Sequence, residues 1–214
     1  MSRVFIYVVD RDFGFAPNPF HGICTLATCK PTIRRVSQIG DWVIGVGGAR
    51  LKATGRMVYA MEVSNKISFN EYWDNPNYND KKPVRNGTRK MVVGDNIYHY
   101  DNESWSQADS HHSNSDGTLN ESNMKNDTQT DCVLISTNFY YFGAEALEIP
   151  NEIIAKIGYK NGIGHRNFDK HDCKDLLNWL EDNYKSLNNI IKYKPFDFSN
   201  HSARYSAGTN KISA

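Results

Sequence analysis

The chain opens on a near-continuous apolar run, residues 3–10 (RVFIYVVD), with β-branched and aromatic side chains at successive positions. Such a run predicts a strand covered on both faces. Residues 13–20 (FGFAPNPF) interleave aromatics with Gly14, Pro17 and Pro19, which predicts an irregular loop carrying large apolar side chains. Past Pro31, Ile33 and Val36 fall at helical spacing until Gly40 stops the pattern, so a short helix is expected. Residues 42–48 (WVIGVGG) predict a second buried strand whose glycines admit a close neighbour. Residues 56–67 alternate as one strand should and lead into an aromatic cluster, 69–73 (FNEYW).

Residues 75–89 are rich in Asn, Pro and Lys and predict a surface loop, after which Gly94-Asp95 turns into an aromatic strand through Tyr98-His99-Tyr100. Residues 102–131 are dominated by Ser, Asn, Asp and Thr, which predicts a mobile polar insertion without a core of its own. Strand composition returns at 132–136 (CVLIS) and 139–142 (FYYF). Leu176, Leu177, Leu180, Tyr184 and Leu187 then mark one face of an amphipathic helix. The Ser- and Asn-rich segment 196–214 predicts a poorly ordered tail. The expected organisation is one domain, 1–195, of α+β class.

A formal net charge of +1, from 25 basic and 24 acidic residues, excludes a basic coat for nucleic acid, so any such contact is local and pocket-like. The absence of an apolar leader or membrane-length run, with only four cysteines, predicts a cytoplasmic protein with no membrane partner. Cys24 and Cys29 lack a partner pair at ligand spacing and read as buried free thiols, so no metal and no cofactor is expected. P-loop, zincin, nucleophile-elbow and zinc-deaminase motifs are missing.

Three polar and aromatic clusters remain. Asp12, Phe13, Phe15 and Asn18 precede Lys30 and Arg34, a set suited to stacking a base, reading its edge and meeting a phosphate; Trp42 and Tyr59 would add walls. Plugging of the sheet end is an equal alternative for these aromatics. Asp95, Tyr98 and His99 form a second cluster, in which Asp95 and His99 are candidate acid and base. His165 and Arg166, after Gly162 and Gly164, form a third, with Arg166 a candidate phosphate contact. His111 and His112, within the polar insertion, are expected to be solvated unless a loop closes over them.

Consecutive uncommon words connect these clusters: Tyr7-Val8-Val9 with Asp12, Gly14 through Phe20, Thr25 through Pro31 with Ile33-Arg34, and Gly40-Asp41-Trp42. They continue through Gly94 to His99, Val133 to Ser136, Phe139 to Gly143 and Gly162-x-Gly164-His165-Arg166. Over residues 3–166 the chain resembles the second family of nucleotide modification associated domains. The resemblance implies a setting in bacterial or phage systems that modify or restrict nucleic acid, and leaves the reaction open. The order of elements is also similar to the PUA, ASCH and EVE group, which implies a small, mixed, partly closed β-barrel with flanking helices. Recognition of a plain or modified nucleobase or nucleotide is therefore the first expectation. A transferase or hydrolase using Asp95, His99 and His165, and a subunit that docks a partner enzyme encoded nearby, are the alternatives.

Overall fold

The computed structural model describes residues 2–213. Along the chain come β1 (Arg3–Val9), β2 (Cys24–Leu26), α1 (Pro31–Val36), β3 (Trp42–Gly47), β4 (Met57–Glu62), β5 (Asn65–Ile67), α2 (Phe69–Asp74) and α3 (Arg89–Val92). They are followed by β6 (Tyr98–Asp101), β7 (Ser104–Gln107), α4 (Glu121–Asp127), β8 (Val133–Ser136), β9 (Asn138–Tyr141), α5 (Asn151–Ile157), β10 (His165–Asp169), α6 (Lys174–Tyr184), β11 (Arg204–Ser206) and β12 (Lys211–Ser213).

Five strands form a mixed sheet in the order β10-β1-β3-β4-β9, in which β1 and β3 are parallel and the other pairs antiparallel. A parallel pair needs a crossover, which here runs through β2 and α1. The apolar run of β1 serves both faces: Phe5, Tyr7 and Val9 enter one hydrophobic cluster, Val4 and Ile6 another. On the second face lie α5 and α6 through Ile157, Leu176, Leu177 and Leu180. Against the first lies a three-stranded sheet, β2-β8-β5, through Cys24, Leu26 and Leu134. The outer face of that sheet, through Val133 and Ile135, packs on Phe13, Phe15 and Phe20 of the irregular loop and on Phe69 and Tyr72 of α2. The molecule is thus a stack of helices, sheet, sheet and aromatic loops.

The α+β class is as expected, but among the described residues the sheets are open and no closed barrel forms. The 56–67 segment departs from its single-strand reading, because the chain changes sheet at Val63 and Ser64, whose N–H groups donate to Asp41 and Ile135 carbonyls. The aromatic cluster at 69–73 is a helix, begun by a capping box between Ser68 and Glu71 that the sequence spells out as S-x-x-E. In the 75–89 stretch Lys81 is buried, its ammonium donating to the carbonyls of Asn18 and Ile23 and to Asn18 Oδ1. Segment 102–131 carries β7 and α4 and buries His111, His112, Asn123 and Asp127, all hydrogen-bonded; polar pairing takes the place of the missing apolar content. Within 196–214, β11 and β12 form a hairpin.

One glycine shapes the site directly. Gly45 of β3 lies between Tyr7 and Tyr59 on the neighbouring strands, and Tyr59 Oη donates to Tyr7 Oη at 2.9 Å. A Cβ at Gly45 would come within 2.3 Å of the Tyr59 ring. Gly45→Ala is therefore expected to destabilise the fold by about 1–3 kcal/mol, measured as a lower urea midpoint; an unchanged midpoint would show that the tyrosine pair yields freely.

Candidate functional site

Where β2 ends, Ala27-Thr28-Cys29-Lys30 turns the chain into α1. Cys29 and Lys30 both take positive φ, 57° and 40°, a conformation that costs a non-glycine residue energy and persists only when surrounding contacts hold it. Those contacts are visible. The Cys29 N–H donates to Asp127 Oδ1 at 2.7 Å, and the Cys29 carbonyl accepts from Arg34 Nε at 2.8 Å. The buried Arg34 guanidinium also donates to the carbonyls of Cys132, at 2.6 Å, and of Asp127. Arg34 thus ties the cysteine turn to the end of α4.

The Cys29 sulfur faces His112 Nε2 at 3.9 Å, and His112 Nδ1 donates to Asp127 Oδ2 at 2.7 Å. Tyr98 Oη donates to the same carboxylate oxygen at 3.0 Å. Both Asp127 oxygens are therefore used, one fixing the cysteine backbone and the other the imidazole. Thiol, imidazole and carboxylate lie in the order of a nucleophile, its base and the group that orients the base.

The charges follow from the contacts. Burial favours a neutral His112, yet the Asp127 carboxylate, the Cys29 sulfur and the hydrogen bonds to both outweigh it and push His112 up to about 10. Burial likewise opposes ionisation of Asp127, but the His112 charge and hydrogen bond, with Arg34 and the Cys29 N–H, bring its carboxyl below the usual range. The adjacent His111 behaves oppositely: burial first, then the His112 charge, drive it down to about 3, and its Nδ1 donates to the Ala203 carbonyl at 2.5 Å. One histidine of the doublet is held charged and the other neutral.

A group that binds its proton more tightly when folded adds stability below its unfolded pKa, here near 6.5, and loses that contribution as pH rises through its folded pKa. The stability advantage of wild type over His112→Gln is thus expected to shrink between pH 6.5 and about 10, as read from urea midpoints across that range. A constant difference would show that His112 does not carry the charge.

The relay opens onto a cavity of about 180 Å³ lined by Tyr7, Phe13, Phe15, Cys29, Lys30, His111, His112 and Tyr205, with Arg11 beside them. Phe13 and Phe15 pack on His111 with ring centroids 4.4 and 5.1 Å away, and Phe15 reaches His112 at 4.7 Å. The Lys30 ammonium stands 4.5 Å over the Tyr7 ring, and burial lowers its pKa. Drug-sized ligands occupy roughly 300–1,000 Å³, so this space suits a single ring or short chain end with the remainder of the molecule outside.

Cys29, His112 and Asp127 are also close enough for a metal ion, with one ligand atom from each within 4.8 Å of the others. The two ring nitrogens argue against it. His112 turns Nε2 to the sulfur and Nδ1 to the carboxylate, and one ion binds only one of them. Cys29 and Nε2 alone fall short of the three protein ligands of a catalytic zinc site.

Of the residues singled out from the sequence, Phe13, Phe15 and Lys30 line the cavity, and Tyr98 supports it through Asp127. Arg34 lies behind the site, its donors committed to carbonyls, where a phosphate contact was expected. Asp12 accepts from Tyr141 Oη at 2.6 Å and from the N–H groups of Gly14 and Phe196, so it braces the loop. Asn18 is occupied by Lys81, Val93 and Phe20. Asp95 is buried with Thr25 and Tyr72 as donors, and His99 stacks on Trp73 at 4.3 Å and pairs with Asp101. Those two candidate catalysts therefore stand apart from the cavity. His165 sits on β10 across from Tyr7, Arg166 is exposed against nearby carbonyls, and Trp42 faces the helices on the far side of the main sheet.

Composition missed the relay because its members are 83 and 15 residues apart in sequence and two of them lie in the segment read as solvated. The available signals were a cysteine at the strand-to-helix turn, directly before Lys30-Pro31, and a histidine doublet.

The sequence profile of nucleotide modification associated domain 2 matches residues 1–202, nearly the whole chain and all three members of the relay. The chain belongs to this family. Neither a curated protein nor a solved structure shows significant similarity to it. As a nucleotide modification associated domain 2 protein it is tied to nucleotide modification, and every lining residue of the Cys29 cavity except Tyr205 lies within the matched stretch. Among its described residues no helix is long and apolar enough to cross a membrane.

Proposed function

We propose that this domain is a thiol-dependent acyl-transfer enzyme acting on a nucleotide or nucleobase, with Cys29 as nucleophile, His112 as acid and base, and Asp127 as the group that orients His112. The observation that carries the reading is the His112 ring held between the Cys29 sulfur and the Asp127 carboxylate, at the wall of a cavity. With His112 holding the proton, the Cys29 sulfur attacks a carbonyl carbon of the substrate. His112 then protonates the departing amine or alcohol as the tetrahedral adduct collapses to a thioester. Water or an acceptor amine, giving its proton to His112, attacks the thioester and restores the cysteine. A base that returns its proton beside the carbon under attack is what acyl transfer requires. Lys30, half-buried at the same wall, supplies positive charge for the developing oxyanion or for a substrate phosphate.

The aromatic lining supports a flat ring as the bound group, consistent with a nucleobase from a nucleotide or nucleic acid. Recognition of a modified base without turnover is the second reading, and the same aromatic walls favour it. In either case the protein would serve a bacterial or phage modification or defence system, alone or with a partner enzyme. Incubation with p-nitrophenyl acetate and with the monophosphates of N4-acetylcytidine and N6-acetyladenosine, followed by intact-mass and peptide mapping, tests the enzyme. An acetyl group on Cys29, released with time, is expected. Absence of any Cys29 adduct together with calorimetric binding of the same nucleotides favours recognition.

A further inference from the structure

The β11–β12 hairpin lies beyond residue 202, where the family match ends, yet it reaches the site. Tyr205 is part of the cavity lining, its ring 5.7 Å from that of His112 and capped by Arg11 at 5.3 Å. The hairpin is held almost entirely by polar contacts. The Tyr205 N–H donates to the His111 carbonyl at 2.7 Å, Arg204 pairs with Asp109, and Arg11 reaches Asn210 at 3.4 Å. Among the described residues, none from 204 to 213 enters the three hydrophobic clusters. A segment with few apolar contacts opens at low free energy.

Asn123 joins this hairpin to the relay. Its side-chain amide donates to the His112 carbonyl at 2.6 Å and to the Tyr205 carbonyl at 2.5 Å, and its Oδ1 accepts from the Ala207 N–H at 2.7 Å. Asn123 is buried, so the seat of the hairpin and the backbone of His112 share one side chain. Gly208 rests on Ser122, where a Cβ would come within 2.6 Å of the serine oxygen.

We infer that the 204–213 hairpin is a substrate-selecting lid, in which Tyr205 walls the Cys29 cavity and Asn123 couples the lid's seating to His112. The inference rests on the reading of Cys29 as the reactive thiol, and adds that the choice of substrate depends on a segment outside the stretch matched to the family. A small planar group passes Tyr205 with the lid seated, and a bulkier one requires it to lift.

The test compares labelling of Cys29 by iodoacetamide and by fluorescein maleimide, each scaled to its rate with free glutathione and followed by peptide mapping. Wild type is expected to disfavour the bulky reagent by about tenfold or more, and Gly208→Val to recover about fivefold or more of that loss while its iodoacetamide rate changes less than about twofold; Tyr205→Ala, which removes the wall itself, is expected to recover at least as much of the ratio. An unchanged ratio in both variants overturns the lid. If iodoacetamide leaves Cys29 unlabelled in wild type, the thiol reading fails by itself, and amide exchange decides the lid. Exchange at Tyr205 and Ala207 far ahead of β3 supports it; protection equal to β3 overturns it.

Discussion

Cys29→Ser is expected to lower the rate of p-nitrophenyl acetate turnover by about 10³-fold or more while the unfolding free energy from urea titration stays within about 0.5 kcal/mol of wild type. The exchange of sulfur for oxygen keeps the side chain's size and leaves the backbone bonds to Asp127 and Arg34 in place. What it removes is the sulfur nucleophile that faces the His112 ring. Loss of activity with retained stability separates a chemical role from a structural one. A variant of nearly full activity would remove Cys29 from the mechanism.

Asp127 gives the second large effect, and two substitutions divide its roles. In Asp127→Asn the amide oxygen still accepts from the Cys29 N–H, but the amide nitrogen faces His112 Nδ1 and Tyr98 Oη, both donors in the wild type. The imidazole then turns to the opposite tautomer and loses its charge, so activity is expected to fall by about 10³-fold or more with a modest change in stability. Asp127→Ala leaves His112 buried without its counter-charge and frees the strained cysteine turn. Removal of one partner of a buried pair costs about 3–5 kcal/mol, read as a large drop in the denaturation midpoint. Equal stability of the Ala variant and wild type would mean that Asp127 does not anchor the turn.

Much of the scaffold was legible in the chain, and the reason lies in periodicity. Residues 3–10 and 42–48 read as doubly covered strands because both faces of the main sheet are buried, and Leu176 to Leu180 read as a helix face because they cover that sheet. The partly closed barrel was taken from a likeness in the order of elements, and order does not fix which strands pair. The candidate cavity was legible in part: Phe13, Phe15 and Lys30, grouped by composition in the sequence, all line it. His112 and Asp127 sit in a segment whose polarity resembles that of a solvated loop; what buries it is mutual satisfaction of polar groups around Asn123 and Asp127, a property of pairing that composition does not encode. Arg34 misled for the related reason that a buried guanidinium serving carbonyls and one serving a phosphate look alike in sequence.

In the proposed mechanism His112 makes Cys29 a nucleophile. The most direct measurement is the rate of Cys29 alkylation by iodoacetamide at pH 7 in wild type and in His112→Gln, with Cys24, Cys132 and Cys173 followed in the same peptide maps. Cys29 in wild type is expected to react at least about tenfold faster than in His112→Gln, with the other three cysteines unaffected by the substitution. Equal rates at Cys29 in the two proteins would show that His112 does not activate the thiol.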